Sequence, residues 1–168
     1  MNYTLFIFLL LPVQVLAQTA FDSLGYDRIM VYEFRGDAGR SIVYCLDKEP
    51  ARIMKRMPLA EHQWAKLSRL LHAGESYGAL TASCFDPHHA LVFYTGEEPV
   101  ASIDICFTCN YLKSSLPIPA LDVIHENYSG EEAPRHGFRR KARNEMKLLF
   151  RKWGFNRFMQ SDDSLFDH

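Results

Sequence analysis

Cys84-Phe85-Asp86-Pro87-His88-His89-Ala90-Leu91-Val92-Phe93-Tyr94-Thr95-Gly96-Glu97-Glu98-Pro99-Val100-Ala101-Ser102-Ile103-Asp104-Ile105-Cys106-Phe107-Thr108-Cys109 reads as one antiparallel ribbon. His89–Thr95 and Val100–Phe107 are rich in β-branched and aromatic residues, which marks strands. Gly96-Glu97-Glu98-Pro99 between them is turn chemistry. Two registers fit. With Thr95 opposite Val100, His89 faces Cys106; with Tyr94 opposite Val100, His88 does. The second alternates more cleanly. It puts Leu91 and Phe93 on one face with Ala101, Ile103 and Ile105, and Ser102, Asp104 and Cys106 on the other. Either register gathers Cys84, Cys106, Cys109 and an imidazole at the open end, because opposed Cα atoms lie ~4.5–5.5 Å apart.

Three chemistries fit that end. A disulfide from Cys84 to Cys106 or Cys109 falls within the ~4.4–6.8 Å Cα span of a bridge. Closing that loop of roughly twenty residues contributes on the order of 3 kcal/mol. A zinc-type site would use Cys84, His88 or His89, Cys106 and Cys109, with Cys-x-x-Cys offering two thiolates from one turn. Redox chemistry at Cys106-x-x-Cys109 ranks last. The motif follows a strand, and no helix pattern begins after it to lower the nucleophile pKa. Haem attachment is excluded, since Asn110 rather than His follows Cys109. The fourth cysteine, Cys45, lies in Val43-Tyr44-Cys45-Leu46 and reads as a small core residue on a strand. It would alternatively make the count even for two bridges.

Working outward, Arg28–Arg35 and Ser41–Leu46 flank Gly36-Asp37-Ala38-Gly39 and predict a first hairpin. Pro58–Ala73 predicts a helix with Pro58 at its first position and Ala60, Trp64, Leu67 and Leu71 on one stripe. Gly74 stops it. Gly78–Pro87 reads as irregular. Lys113–Pro134 reads as a long connection with one short strand at Leu121–Ile124. Phe138–Trp153 predicts a second helix with an apolar stripe of Phe138, Ala142, Met146, Leu149, Phe150 and Trp153, ended by Gly154. The order is strand-strand-helix, twice. It implies an α+β fold: an antiparallel sheet from two hairpins with both helices packed on one face.

The leader gives an address. Leu5 to Leu16 is apolar but too short for ~30 Å of hydrocarbon. Val15-Leu16-Ala17 has the small-x-small ending of a cleavage site, although no Lys or Arg precedes the run. The expectation is a signal peptide over 1–17, one α+β domain over 18–168, and export to a periplasmic or secreted location. Export favours the disulfide. No second apolar run of membrane length follows, so no stable membrane anchor is expected after cleavage.

Composition narrows the function classes. The chain has 168 residues, 48% of them hydrophobic and 13% aromatic, enough for a core. A net charge of −1 argues against a nucleic-acid partner. Arg135, Arg139, Arg140, Lys141, Arg143, Lys147, Arg151, Lys152 and Arg157 crowd one segment, yet the apolar stripe already explains that helix and leaves them as a solvated face. His62, His72, His125 and His136 form no ligand pair. Asn127-Tyr128-Ser129 is a glycosylation sequon. Phosphate-loop, His-Glu-x-x-His and nucleophile-elbow motifs are missing from the sequence.

Cys84-Phe85-Asp86-Pro87-His88-His89, Val92-Phe93-Tyr94 and Ile105-Cys106-Phe107-Thr108-Cys109, with the closing Leu149-Phe150 and Trp153-Gly154-Phe155, resemble a family of uncharacterised exported bacterial proteins. The likeness covers about half the chain. It implies that Cys84, Cys106 and Cys109 act as a set without Cys45, and it implies no activity. The expected role is a non-catalytic binding or interaction module, for a protein or small ligand, organised around the Cys/His cluster. The alternative is a metal- or thiol-dependent enzyme at the same place, which needs an open metal position and a neighbouring base.

Overall fold

The computed structural model describes residues 20, 21, 23–36, 39–82, 84–121, 136–161 and 163–166. The leader with its cleavage site, most of the strand expected at Leu121–Ile124, His125, the sequon and Arg135 lie outside them. In chain order the elements are β1 (Arg28–Phe34), α1 (Ile42–Lys48), β2 (Ile53–Pro58), α2 (Glu61–His72), β3 (Tyr77–Ala79), β4 (His89–Thr95), β5 (Glu98–Cys106), β6 (Tyr111–Ser114), β7 (Gly137–Phe138) and α3 (Arg140–Lys152).

β4 and β5 form the expected ribbon. Leu91 opposes Ile103 and Phe93 opposes Ala101, which is the second of the two registers. The tip differs. Thr95 opposes Glu98, so the turn is only Gly96-Glu97, and Val100 is an extra residue where the register shifts. Pro99 cannot donate to a ladder, and a bulge beside it absorbs the mismatch.

A five-stranded antiparallel sheet runs in the order β2-β1-β4-β5-β6. The fold is α+β with an antiparallel sheet, but the strand-strand-helix repeat is not its order. β1 pairs with β2 and β4, not with Ser41–Leu46, which is helical. Capping explains the change. The Ser41 side chain accepts from Val43 N at 3.0 Å, and the Asp104 carboxylate of β5 accepts from Ile42 N at 2.8 Å. Two orphan N–H groups of the first turn are satisfied, which outweighs the strand propensity of Ile42 and Val43.

The two sheet faces are both covered. Ile29, Val31, Leu91, Phe93, Ala101, Ile103 and Ile105 pack against Trp64, Leu67 and Leu71 of α2 and Met146 and Phe150 of α3. Both long helices therefore share one face, as expected. α2 is shorter than the Pro58–Ala73 reading. Pro58 ends β2, Ala60 is exposed at the N-cap, and its N–H donates to Gln63 Oε1 at 2.9 Å. α3 begins after Phe138, which is drawn into β7. Gly154, at φ +82, stops it. On the opposite face Tyr32, Phe34, Ala90, Val92 and Tyr94 cluster with Ile42 and Cys45 of α1.

β3 and β7 make a second, two-stranded sheet. Strands this short are not self-supporting. They are tied to the main sheet through Asn110, whose amide donates to Leu80 O at 2.9 Å and Phe138 O at 3.0 Å. Gly137 permits the approach: a Cβ there would lie 2.4 Å from both Asn110 Nδ2 and Leu80 O. This contact places the open end of the ribbon against residues 80–82.

Candidate functional site

The turn Phe107-Thr108-Cys109-Asn110 links β5 to β6 and is tight enough to bring Cys109 back over Cys106. The two are joined as a disulfide with a Cα–Cα distance of 5.3 Å. Asn110 closes the turn at φ +52, a conformation asparagine tolerates better than most residues. Both bridged residues are buried, at 0% and 1% exposure. Cys84 is a free, exposed thiol. Its Sγ lies 3.5 Å from Cys109 Sγ, in contact with the bridge. The hydrogen bond from Ala82 N to Cys109 O, 3.0 Å, holds the Cys84 segment there.

Polar donors converge on one sulfur of the pair. Cys109 N–H donates to Cys106 Sγ at 3.1 Å. The Thr108 hydroxyl lies 3.2 Å from the same atom and is the donor, because a bridged sulfur carries no proton. Its distance to Cys109 Sγ is longer, 3.9 Å. Charge arriving on Cys106 would thus be stabilised more than charge on Cys109.

The sequence-predicted set is only partly gathered. Cys84, Cys106 and Cys109 meet; His88 and His89 do not join them. His88 Nδ1 accepts from Gly36 N at 3.1 Å, its Nε2 faces Asp86 Oδ2 at 3.4 Å, and its ring stacks on Phe158 at 4.0 Å. A Cβ on Gly36 would run into Asp86 and Pro87, so glycine is needed for this embrace. His89 lies on the helix-covered face, opposite in pleat to Cys106. Its ring packs against Phe107 and Phe150 at 5.2 and 5.4 Å, and its Nε2 is 3.8 Å from Glu33 Oε2. Burial holds the imidazole below its ordinary pKa. The His89 side chain and then the Arg157 N–H, at 3.2 Å, hold Glu33 below the usual carboxylate value. Among the described residues, no group of three or more His, Cys, Asp or Glu side chains is arranged to hold a metal. The zinc-type set of Cys84, His88, His89, Cys106 and Cys109 therefore gives way to a three-sulfur group. The pleat takes His89 away, and the Gly36 amide takes His88.

The expected bridge partner for Cys84 also changes, since the pair is Cys106 with Cys109. The ribbon geometry correctly put Cys84 beside them. It could not show that the turn folds tightly enough to join neighbours three apart. As the sequence implied, no helix follows the Cys-x-x-Cys; β6 does.

Cys45 is buried on α1 under the sheet, where burial pushes its thiol pKa up. It is a core residue, on a helix rather than a strand. Sequence reasoning missed Asp104 as a participant. It is buried two residues before Cys106 and caps α1, and burial pushes its pKa up to about 6. Its parity with Cys106, opposite the apolar Ala90, was the available signal. The basic segment is partly structural. Arg143 is buried and donates to Phe138 O at 2.8 Å, Lys147 donates to Ser161, and Arg139 Nε donates to Tyr77 O at 2.6 Å. Among the described residues no helix is long and apolar enough to cross a membrane.

No protein-family model, curated protein or solved structure matches this chain.

Proposed function

We propose that this is a disulfide-stapled, non-catalytic interaction domain that works outside the reducing cytosol. The observation that carries the reading is the closed Cys106–Cys109 bridge at the turn, with both candidate histidine ligands engaged elsewhere. A bridge of this kind belongs in an oxidising compartment, which agrees with the apolar leader and its cleavage motif. The partner surface lies around Cys84. Phe85 packs edge-on against Tyr111 at 5.3 Å, and Lys113 Nζ sits 4.5 Å over the Phe85 ring. Partly exposed aromatics beside a cation suit a protein or small-ligand contact.

Intact-mass measurement of the full chain, with and without reductant, alongside metal analysis, tests this. The expected result is a mass two hydrogens lower before reduction and no bound metal. Full-length protein with four free thiols and one equivalent of zinc would overturn it.

A further inference from the structure

We propose that Cys84, Cys109 and Cys106 form a thiol–disulfide exchange relay, in which exposed Cys84 is the nucleophile connecting a buried bridge to thiols at the surface. The relay rests on the disulfide reading above and deepens it: the chain's own bridge is exchanged stoichiometrically, with no substrate turned over. Three observations carry it. Cys84 is exposed, whereas both bridged residues are shut away from solvent. Cys84 Sγ touches Cys109 Sγ at 3.5 Å, which is the sulfur it would attack. The sulfur that would then leave, Cys106, is the one that receives the Cys109 N–H at 3.1 Å and the Thr108 hydroxyl at 3.2 Å. Exchange is faster when the leaving sulfur is a better-stabilised thiolate. Attack and departure are thus assigned to different sulfurs by the geometry. The stabilisation that a helix N-terminus gives in other Cys-x-x-Cys sites comes here from a backbone amide and a hydroxyl.

The step balances internally. Cys84 loses its proton to solvent, and its Sγ attacks Cys109 Sγ. The Cys84–Cys109 bond forms as the Cys106–Cys109 bond breaks. The electron pair leaves on Cys106, which takes up a proton. One disulfide and one thiol stand on each side, so no oxidant is consumed. In the product the bridge includes an exposed sulfur. An external low-molecular-weight thiol attacks Cys84 there, forms a mixed disulfide, and releases Cys109 as a thiol. A second such thiol frees Cys84 and leaves as the oxidised disulfide. Overall, two external thiols reduce one protein bridge.

The test uses the oxidised full chain. It is trapped with N-ethylmaleimide near neutral pH, acidified, digested without reduction and mapped by mass. Two connectivities are expected: Cys106–Cys109 with alkylated Cys84, and Cys84–Cys109 with alkylated Cys106. Cys84→Ser should show the first alone, and reduced glutathione should open its bridge at least about tenfold more slowly than in the native chain. Cys106→Ser provides an independent arm: given oxidised glutathione, which takes up the two electrons and two protons as it is reduced to two thiols, it should form the Cys84–Cys109 bridge. The relay is overturned if Cys106 is never alkylated in the native chain and glutathione opens both proteins at rates within about twofold. It is also overturned if Cys106→Ser keeps Cys84 and Cys109 as free thiols. In either of those cases, a Cys84→Ser protein that is still two hydrogens light shows that the staple stands although the relay does not. A native chain with no bridge at all would remove both.

Discussion

The two ends of the β4–β5 ribbon are built by opposite means. At the bend, Gly96-Glu97 reverses the chain by local turn chemistry, Glu97 is almost wholly exposed at 98%, and the main outside tie is Asp27 Oδ2 accepting from Gly96 N. At the sulfur end, a buried bridge, the Asn110 clamp, the Asp104 cap and the His89–Glu33 pair converge from distant parts of the chain. One end is specified by four neighbouring residues, the other by contacts between residues far apart in sequence. The proposed exchange would take place where the backbone is most strongly over-determined. That is the condition under which a reactive geometry, such as a thiol held against a disulfide, can be kept.

The sharpest way to break that contrast is to cut the clamp. Asn110→Ala removes the donor to Leu80 O and one of the donors to Phe138 O, which keeps Arg143. It also places alanine at φ +52. A buried carbonyl left without its donor costs ~1–3 kcal/mol, and the left-handed backbone adds about 1 kcal/mol. The expected loss is about 3 kcal/mol, or a fall of roughly 6–12 °C in Tm for a domain of this size. Thermal unfolding followed by circular dichroism reads it directly. A change below about 1 kcal/mol would show that the second sheet does not depend on Asn110.

The next effect is also confined to the sulfur end, and it has a sign. Asp104 and His89 lie on opposite faces of the same few residues of ribbon. Burial raises Asp104 to about 6 from an ordinary 3.8. Its folded form therefore prefers the proton, and its contribution is largest below about pH 4 and is lost as pH rises through about 6. His89 is lowered by burial despite the neighbouring Glu33. Its contribution stands above its ordinary value of 6.5 and is lost as pH falls below it. Glu33, lowered chiefly by His89, adds a further loss below 4.5. Between pH 7 and 5 the first two oppose each other and flatten the profile. Asp104→Asn retains an oxygen to cap Ile42 N while removing the buried charge. It should stabilise the domain by about 2 kcal/mol at pH 7.5, with the gain gone by about pH 4, and leave a steeper acid decline. Urea unfolding across that pH range measures both. Parallel curves for the two proteins would remove Asp104 as the source.

How far the sequence foretold each end follows the same division. The ribbon register was legible because Leu91, Phe93, Ala101, Ile103 and Ile105 are apolar at alternate positions and only one pairing puts them together. The helix stripes were legible for the equivalent reason at helical spacing. Ile42–Lys48 was not, because its cap comes from Asp104 on a strand 62 residues away. β2 was not, because Ile53–Pro58 is a half-exposed edge strand containing Lys55 and Arg56, with no buried face to mark it. β3 and β7 are too short to carry a pattern and exist through Asn110 and Gly137. Of the candidate site, the meeting of three sulfurs was legible from the ribbon alone. The pairing was not, since it depends on the curl of one turn. Neither was the fate of His88, which is decided by the Gly36 amide and the Phe158 ring.

The bend should respond weakly and locally, which is the other half of the comparison. Gly96 occupies the first central position of its two-residue turn at φ +59, with open space where a Cβ would go. Gly96→Ala then meets only the left-handed backbone penalty, about 1 kcal/mol. Glu97→Gln removes a surface ion pair to Arg28 at 3.2 Å, in which Glu97 is 98% exposed. Such pairs are screened by solvent and contribute under about 0.5 kcal/mol. Neither change should alter disulfide connectivity or the rate at which glutathione opens the bridge, because the intervening ladder of Leu91, Phe93, Ile103 and Ile105 is packed on the helices. Chemical denaturation together with the alkylation map tests both statements. If Glu97→Gln shifted the sulfur connectivity, the ends would be coupled through the ribbon. The division between a locally specified bend and an over-determined sulfur end would then fail.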